Sequence, residues 1–595
     1  MKLGNNFLMK ILRLFKEAFW PHKLAIAILA GLGFLSGLFE GIGVNALIPL
    51  FSFVIGDGSG GTDFISRTIE RAFSIFGIDF SIVSLMYLVA VLFMLKAVVL
   101  FAANLIQIRI TANFEKNTRV YLLEHTLRSS WGYLLGQKIG HLEKILTVEV
   151  KQATGFLQTI SSSVLVITSL FVYFFVALNI SPRITLLAFA FGIIVLVLFG
   201  PIVKKVKDIM DAVVRINRGL AHYINQNVIG IKTIKAMAVE VSARKRGEED
   251  FEELRKMREK AGRLAWPMFF FEPISLIFIL AVFFFSYETP GFNLVAFGAI
   301  LYLIQRIFVY IKSIQSSINK SQGSLSYLES MQKYKKEIIE HEEKQAGKLP
   351  FVFDRIVCLR GVSFAYANKK EEVLSGLRFC IKKGELVGLV GPSGSGKTTI
   401  VDLLLRLFEP TSGAIFFDEI NAGEIKLDSL RRNIGYVSQD MYLANDTVEK
   451  NIKFYEDSIS DEDMIRAAHM AHVHDVIESL PRGYQTIIGE RGVMLSAGQR
   501  QRIVIARILA RKPQLLILDE ATSALDNESE LEIQKAIESL KRKITVLVIA
   551  HRLETVLSCD NLLVLDKGKI LEEGKPQDLL AKEDSYFFKM YNIRT

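Results

Sequence analysis

The chain has 595 residues, of which 50% are hydrophobic and 23% are charged, and its formal net charge is +10. This composition excludes a disordered or collagen-like chain, and a mean hydropathy of +0.31 is too apolar for a wholly soluble protein. Residues 1–350 hold 39 basic and 26 acidic side chains, whereas residues 351–595 hold 33 and 36. Because the basic excess lies in the apolar half, we attribute it to cytoplasmic loops and not to nucleic-acid binding.

The first segment of the chain is apolar and basic at helical spacing, over Phe7 to Trp20. It does not have the features of a cleaved signal peptide, and the pattern is typical of an amphipathic helix in the membrane interface. We therefore predict an interfacial helix within residues 1–22, followed by a membrane domain.

Six apolar stretches are long enough to cross about 30 Å of hydrocarbon as helices. They lie near Leu24–Ile55, Ile82–Ile108, Gly155–Leu178, Ile184–Ile202, Ala265–Tyr287 and Leu294–Ile311. The first contains five glycines that permit close helix packing, namely Gly31, Gly33, Gly37, Gly41 and Gly43. Lys and Arg are concentrated at the N-terminus, in residues 109–154 and 203–264 and after the sixth stretch, which places both termini in the cytoplasm.

The segments between and after the spans give three further predictions. The helical pattern of the two long basic loops continues from the spans, so helices should extend well below the membrane. Residues 63–77 alternate apolar and charged faces and predict a short amphipathic helix on the outer side. Residues 321–352 are polar with mixed charges, and we assign them as a linker between a membrane domain over residues 23–320 and a second domain over residues 353–595.

Charged groups inside the spans are rare and indicate either helix pairing or substrate contact. The candidates are Glu40, Lys96, Glu272 and Arg306, with Asn45 and Gln305 as polar neighbours. A cavity with both cationic and apolar surface would suit an amphipathic anion. The sequence leaves the two roles open.

The second half contains a phosphate-binding loop, Gly391-Pro-Ser-Gly-Ser-Gly396-Lys397-Thr398, between a strand-like apolar run and a helical pattern from Thr399. The glycines let backbone N–H groups surround phosphate oxygens. We expect Lys397 to reach the β- and γ-phosphates of a nucleotide and Thr398 to bind Mg²⁺. The other residues predicted to bind the nucleotide in this segment are Gly391, Ser393, Gly394, Ser395, Gly396 and Thr399.

A second buried run, Leu515 to Leu518, ends in two adjacent carboxylates, Asp519 and Glu520. Buried neighbouring acids are costly unless charge or chemistry compensates for them. Asp519 is suited to hold hydrated Mg²⁺, and Glu520 is suited to polarise the attacking water. The two motifs predict nucleotide hydrolysis in an α/β P-loop domain.

The order and spacing of the motifs over residues 351–595 resemble the ATP-binding cassette (ABC) family. The resemblance implies that Tyr366 stacks on adenine and that Gln439 contacts Mg²⁺ and senses the γ-phosphate. It also implies that His551 is the histidine of the switch segment, which contacts the γ-phosphate. Leu495 to Gln499 resembles the family signature, which implies that Ser496, Gly498 and Gln499 face ATP bound by a second cassette, and Asp526 belongs to the loop at the dimer seam. One departure is Ala497, where the common form has glycine; its methyl group is expected to crowd the phosphate or to limit a φ > 0 conformation.

Six spans followed by one cassette resemble a half-size ABC exporter, which implies a membrane all-α domain followed by an α/β cassette. Three stretches support this resemblance. Residues 131–145 and 225–240 resemble the two cytoplasmic coupling loops of such exporters. Residues 488–492, just before the signature, resemble the loop that contacts the coupling helices. The resemblance implies a homodimer, with a heterodimer left open, in the cell (inner) membrane. The first span and the outer helix are similar to those of lipid-linked oligosaccharide flippases. We therefore predict export of a lipid or lipid-linked substrate, with a peptide or multidrug exporter as the alternative.

A rival from another class is an ATP-gated channel or regulatory membrane subunit. Intact Glu520 and His551 favour turnover over simple binding. The three cysteines, Cys358, Cys380 and Cys559, all lie in the second half, so no disulfide framework and a reduced cytosolic domain are expected.

Overall fold

The computed structural model describes residues 23–55, 64–75, 77–137, 139–264, 266–287, 294–367, 371–519, 527–549 and 553–592. The chain divides into two compact units, one of residues 1–129 with 135–342 and one of residues 130–134 with 343–595. The predicted interfacial helix within residues 1–22 lies outside the described residues.

The first unit consists of helices. In chain order they are α1 (Lys23–Asn45), α2 (Leu47–Ile55), α3 (Phe64–Ile75), α4 (Ile82–Leu127), α5 (Trp131–Leu135, mostly in the second unit), α6 (Ile139–Lys144), a π-helical turn (Ile145–Glu149), α7 (Val150–Ile180), α8 (Pro182–Ile229), α9 (Ile231–Ala236), α10 (Glu240–Leu264), α11 (Pro267–Tyr287) and α12 (Leu294–Glu340).

The six predicted apolar stretches lie largely in helices. Four described helical segments are long and apolar enough to cross a membrane, Lys23–Leu50, Ile82–Leu127, Leu142–Ile180 and Phe297–Ile318, and two shorter apolar segments lie at Pro182–Val195 and Glu272–Phe285. Helix α8 has 48 residues, which at about 1.5 Å per residue is far longer than a bilayer is thick. The prediction that helices continue beyond the membrane is therefore confirmed.

Glycines of α1 bring it into close contact with α7. A Cβ atom at Gly33 would lie 2.2 Å from Thr168 Oγ1, and one at Gly41 would lie 2.9 Å from Val176. A Cβ atom at Gly31, by contrast, would meet no described atom within 4 Å apart from the neighbouring residues and backbone of its own helix. The predicted close approach is thus confirmed for one face of the helix and does not extend to Gly31.

Helix α3 matches the amphipathic helix predicted over residues 63–77. Ile69 and Phe73 are buried against Ala46 and Leu85, whereas Arg67 and the other charged residues of the helix are exposed. The helix therefore covers the ends of neighbouring helices with its apolar face.

The predicted linker over residues 321–352 is largely helical, because α12 continues to Glu340. Its polar residues do not interrupt the helix, since Tyr334 shares a hydrogen bond of 2.7 Å with Thr126 of α4 and Lys335 lies 4.4 Å from the centre of the Tyr121 ring. The non-helical connection starts at His341. The domain limits themselves remain a prediction.

The second unit contains two sheets. Strands β1 (Ile356–Phe364), β2 (Leu374–Lys382), β4 (Ser412–Phe417) and β5 (Ile420–Asn421) form an antiparallel sheet of order β2-β1-β4-β5. Strands β3 (Leu386–Val390), β6 (Ile434–Val437), β7 (Leu515–Asp519), β8 (Thr545–Ile549), β9 (Asn561–Asp566) and β10 (Lys569–Gly574) form a sheet of order β10-β9-β3-β8-β7-β6.

Ten helices accompany these sheets in the described part of the second unit. They are α13 (Lys397–Leu404), α14 (Leu427–Asn433), α15 (Val448–Lys453), α16 (Asp461–Met470), α17 (His474–Glu478), α18 (Ala497–Leu509), α19 (Asn527–Leu540), α20 (Leu553–Leu557), α21 (Pro576–Leu580) and α22 (Tyr586–Asn592).

The central strands of the larger sheet are buried on both faces. In β3, Leu386 and Val390 belong to one hydrophobic core, whereas Val387 and Leu389 belong to the other. Strands β7 and β8 are buried at every position. Such continuous apolar runs are characteristic of parallel strands covered by helices on both sides, which confirms the predicted α/β domain.

The structure corrects the expectation that this half has no disulfide. Cys358 and Cys380 form a disulfide across β1 and β2, where they are directly opposite one another with their Cα atoms 4.2 Å apart. Strand pairing brings together two cysteines that are 22 residues apart in sequence. Cys559 is free and buried.

Candidate functional site

The carboxyl ends of four parallel strands lie side by side and bring the predicted motifs together. Strands β3, β8, β7 and β6 are neighbours in that order, and each pairs with the next in parallel. The phosphate-binding loop follows β3, Asp519 ends β7, and Gln439 lies two residues beyond β6. An edge of this kind is where open α/β sheets bind their ligands.

The phosphate-binding loop leads from β3 into α13. Gly394 and Gly396 have φ values of +80° and +107°, which favour glycine over any residue with a side chain. At Gly391 a Cβ atom would lie 2.0 Å from the carbonyl oxygen of Leu565. These three glycines are therefore required by the backbone path of the loop.

Lys397 is buried, and its Nζ donates to the carbonyl oxygens of Gly391 at 3.0 Å and Pro392 at 2.9 Å. Ser395 is also buried, and its Oγ has no hydrogen-bond partner within the described residues. A buried hydroxyl without a partner is costly. The loop thus holds an ammonium group and an unsatisfied hydroxyl, which fits a phosphate ligand.

Tyr366 lies close to the same helix. Its hydroxyl shares a hydrogen bond of 3.1 Å with Thr399 Oγ1, and its ring packs edge-on against Phe364 and Phe408. The ring is half-buried, so part of it remains accessible. The structure thereby brings the predicted adenine-stacking residue to the predicted phosphate-binding helix.

Asp519 is buried at the end of β7 and accepts a hydrogen bond of 3.4 Å from the hydroxyl of Tyr436. Burial, and then the nearby charge of Asp519, raise the pKa of Asp402 to about 6. Burial also raises the pKa of Tyr436, with Asp519 and Asp402 adding to the shift. This concentration of acidic groups is an environment that a divalent cation would stabilise.

Tyr436 and Asp402 are not among the residues predicted from the sequence. A local signal existed for Asp402, because it follows Thr398 by four residues and so lies on the same face of α13. For Tyr436 the proximity depends on the parallel pairing of β6 with β7, where Tyr436 lies opposite Ile517. Sequence spacing does not give that register.

Gln439 is exposed in the loop after β6. Glu520, Asp526 and His551 lie outside the described residues. Along the chain, Glu520 follows the last residue of β7, and His551 comes two residues after the last residue of β8. Their predicted roles therefore remain predictions.

The signature segment begins α18 with a capping box. Ser496 Oγ accepts from the backbone N of Gln499 at 3.2 Å, and the Gln499 side chain accepts from the backbone N of Ser496 at 2.9 Å. Ser496 is exposed and therefore accessible to a ligand, and the N-terminus of the helix favours an anion. Ala497 is the first helical residue and is not among the residues with positive φ, so its methyl group meets no conformational penalty of that kind.

The charged residues predicted inside the spans are paired. Glu40 of α1 is fully buried and accepts hydrogen bonds from Lys96, Tyr173 and Tyr302, while Arg306 Nε lies 3.2 Å from its Oε1. These donors come from α4, α7 and α12. Helix pairing, one of the two roles left open, is therefore present at Glu40.

The remaining candidates, Glu272, Asn45 and Gln305, do not belong to the Glu40 cluster. Lys312 of α12 donates to Glu272 of α11 at 2.8 Å. Asn45 donates to the carbonyl oxygen of Gly41 at 2.9 Å, and Gln305 is exposed. Glu272 thus pairs with a lysine that lies outside the set of predicted charged residues.

The fold and the site define a membrane protein that carries a P-loop nucleotide-binding domain. Residues 27–313 match the family profile of the ABC transporter transmembrane region, and residues 374–523 match that of the ABC transporter. The chain belongs to the ABC transporter family. The predictions of a helical membrane domain and one cassette in a single chain are confirmed.

Several curated relatives are named ATP-dependent lipid A-core flippase, including one from Syntrophus aciditrophicus and one from Coxiella burnetii. That of Syntrophus aciditrophicus is 37% identical over 388 residues, which cover 63% of this chain and 63% of the relative, so the match spans less than two thirds of that protein. That of Coxiella burnetii is 31% identical over 527 residues, which cover 84% of this chain and 85% of the relative.

A solved structure of a bacterial Atm1-family ABC exporter with ATP bound has the same fold. Its TM-score is 0.75 at 22% identity, with 97% of this chain and 99% of that chain covered. At this identity the similarity establishes the architecture alone.

Proposed function

We propose that the protein is an ATP-hydrolysing exporter or flippase. The observation that carries this proposal is the edge of the larger sheet, where Lys397, Ser395 and Asp519 lie at the ends of β3 and β7. A chain that served only as a scaffold would gain nothing from a buried lysine and an unsatisfied buried hydroxyl in one loop.

Each residue of the site has a defined task in this proposal. Lys397 and the loop backbone bind the β- and γ-phosphates, and Tyr366 stacks on the adenine. Thr398, Gln439 and Asp519 would hold Mg²⁺, whose chemistry is neutralisation of the phosphate charge. Glu520 positions the attacking water, and His551 contacts the γ-phosphate.

A second chain completes the site. In the family that this chain resembles, the signature serine faces ATP bound by the other cassette, and this chain has one cassette. Ser496, Gly498 and Gln499 would thus act across a dimer seam that includes Asp526. A homodimer suffices, because the predicted residues of the site are all present in this sequence.

In this proposal, closure of the two cassettes is coupled to a movement of the membrane helices, and this coupling drives transport. ATP binding favours the closed dimer, and phosphate release removes the charge that held it closed. Residues 130–134 belong to the cassette unit, and a Cβ atom at Gly132 would lie 3.2 Å from the Phe408 ring. This short segment overlaps the start of residues 131–145, which were predicted as a coupling loop, and is suited to transmit the movement.

The substrate is proposed to be a lipid or lipid-linked molecule moved from the cytoplasmic side of the cell (inner) membrane. The names of the two flippase relatives and the amphipathic α3 support this choice. Both termini and the cassette are cytoplasmic in the proposal, because Lys and Arg are concentrated in the corresponding loops. The alternatives are a peptide or multidrug exporter and, from another class, an ATP-gated channel.

The test compares Glu520→Gln with wild type and with Glu538→Gln, a matched change at an exposed position of α19. In reconstituted protein we expect Glu520→Gln to lower ATP hydrolysis by about 100-fold or more while nucleotide binding persists. The control should hydrolyse ATP normally. An unchanged rate in Glu520→Gln would contradict the assigned role, and stimulation by peptides with none by lipids would contradict the substrate class.

A further inference from the structure

Two adjoining cavities open among the helices of the first unit. The smaller has a volume of about 520 Å³ and the larger about 1100 Å³, and both are lined by Gln152 and Tyr327. The smaller, called the polar cavity below, lies within the roughly 300–1,000 Å³ that is typical of small-molecule sites. It is distinct from the Glu40 cluster, whose residues do not line it.

Among the described residues, the lining of the polar cavity from α7 and α12 carries neutral hydrogen-bonding side chains and one cation. Helix α7 contributes amide and hydroxyl groups, and helix α12 contributes hydroxyl groups and one ammonium group. The residues that carry the argument are Gln158, Thr159, Ser162, Ser317, Lys320 and Ser324. The described residues that α8 contributes to the lining form its apolar wall and are Met210, Val213 and Val214.

The polar wall is held in place from behind by α4. Gln107 is buried, and its Nε2 donates to the carbonyl oxygen of Gln158 at 3.1 Å and to Ser162 Oγ at 2.8 Å. Ser162 Oγ in turn donates to the Gln158 carbonyl oxygen at 3.0 Å. The wall is therefore pre-organised, which lowers the cost of ordering it around a ligand.

Lys320 provides the cationic group of this wall. It is exposed, and in the part of the chain that the structure describes no carboxylate forms an ion pair with it. A ligand with two or more phosphates would require several cations, whereas the described lining of the polar cavity contains one. Amides and hydroxyls both donate and accept, which is the pattern that sugar hydroxyl groups match.

We propose that the polar cavity binds the sugar portion of a glycolipid substrate, with Lys320 beside a single anionic linkage. This inference rests on the proposed lipid-exporting function and narrows its substrate class. The apolar wall from α8 suits the C–H face of a sugar ring, and the polar wall suits its hydroxyl groups.

The test measures stimulation of ATP hydrolysis in nanodiscs by three probes. These are a neutral diglycosyl diacylglycerol, a bisphosphorylated lipid A and phosphatidic acid, which carries no sugar. The variants are Thr159→Val, Ser317→Ala and Lys320→Gln. The matched controls are Thr154→Val, on the same helix as Thr159, and Lys333→Gln, on the same helix as Lys320; neither control residue lines the cavity.

We expect the diglycosyl lipid to stimulate wild type and both controls at equal concentration. Thr159→Val and Ser317→Ala should each raise the half-maximal concentration by about three- to tenfold, because each removes one hydrogen bond to the ligand. Lys320→Gln should leave this neutral probe unaffected. Phosphatidic acid should stimulate weakly in every variant.

Three outcomes would overturn the inference. If the diglycosyl lipid acts equally on wild type and on the hydroxyl variants, the cavity does not bind sugar although the lipid-exporting function stands. If only phosphorylated probes stimulate, and only Lys320→Gln weakens them, the cavity is an anion site. If no probe stimulates wild type, the inference and the proposed lipid substrate fail together.

Discussion

The hydroxyl of Tyr436 donates a hydrogen bond of 3.4 Å to Oδ2 of Asp519, the carboxylate predicted to bind Mg²⁺. The tyrosine lies on β6 and the aspartate at the end of β7, so the contact depends on pairing of these strands. Because a hydrogen bond to a metal-binding carboxylate helps to orient it, the tyrosine is suited to position Asp519 for the cation.

We predict that Tyr436→Phe weakens the response to Mg²⁺. Loss of one hydrogen bond to the carboxylate should raise the Mg²⁺ concentration for half-maximal ATP hydrolysis by about two- to fivefold, with little change in maximal rate. Tyr442→Phe, at an exposed tyrosine, is the control. Identical Mg²⁺ titrations for wild type and Tyr436→Phe would show that the contact has no role in metal binding.

The raised pKa of Asp402 leads us to expect that the stability of the cassette depends on pH. Burial and Asp519 raise its pKa from 3.8 to about 6, so the folded state binds a proton more tightly than the unfolded state. The stability this gives is complete below about pH 4 and is lost as the pH rises through 6.

Asp402→Asn removes the penalty of the charged form and should therefore stabilise the nucleotide-free protein at pH 8. We expect about 2 kcal/mol relative to wild type, which is less than the full pKa shift would give because solvent partly screens the carboxylate. The advantage should shrink as the pH is lowered towards 4. Thermal unfolding of the full chain in detergent, followed by dye fluorescence at several pH values, measures this. A constant difference between the two proteins at every pH would contradict the assignment.

Removal of the Glu40 carboxylate is expected to destabilise the membrane unit. Its carboxylate is fully buried and bonds to side chains of three other helices, so Glu40→Ala would leave Lys96 and Arg306 without their counter-charge. We expect destabilisation by about 3 kcal/mol and a smaller effect for Glu40→Gln. Glu272→Ala serves as control, because Glu272 is exposed and its pair with Lys312 should matter little. Equal unfolding temperatures for the two alanine variants would refute the expectation.

The glycine face of α1 offers a test with a built-in control. Gly33→Ala would place a methyl group 2.2 Å from Thr168 Oγ1 and 3.1 Å from the Leu165 Cα atom, and should cost about 1–3 kcal/mol. The methyl group of Gly31→Ala would meet no described atom within 4 Å apart from the neighbouring residues and backbone of its own helix, and should stabilise the helix slightly. Thermal stability in detergent distinguishes them. Similar behaviour of the two variants would mean that α1 and α7 separate more readily than their packing indicates.

Some features were predictable because they are encoded locally. The phosphate-binding loop needs its glycines and lysine at fixed spacing, and the apolar spans need only length and hydropathy, so both appear where the sequence places them. The amphipathic α3 was also predictable, because its charged and apolar residues recur at helical spacing.

Other features depend on tertiary contacts. Residues 321–340 have the polar composition of a linker, yet they are helical because Tyr334 and Lys335 pack against α4. The side chains that donate hydrogen bonds to Glu40 are 56 to 262 residues away in sequence. Likewise, Lys312 was not identified as the partner of Glu272, because which faces of α11 and α12 meet is a matter of helix packing.

The disulfide between Cys358 and Cys380 has a practical consequence for labelling experiments. The remaining thiol, Cys559, is buried, and burial raises its pKa to about 12, so little thiolate is present at neutral pH. With all three cysteines thus occupied or inaccessible, the oxidised protein offers maleimides no native target. A single cysteine introduced at an exposed position such as Tyr455, which is 87% exposed, would carry a spectroscopic probe without prior removal of the natural cysteines.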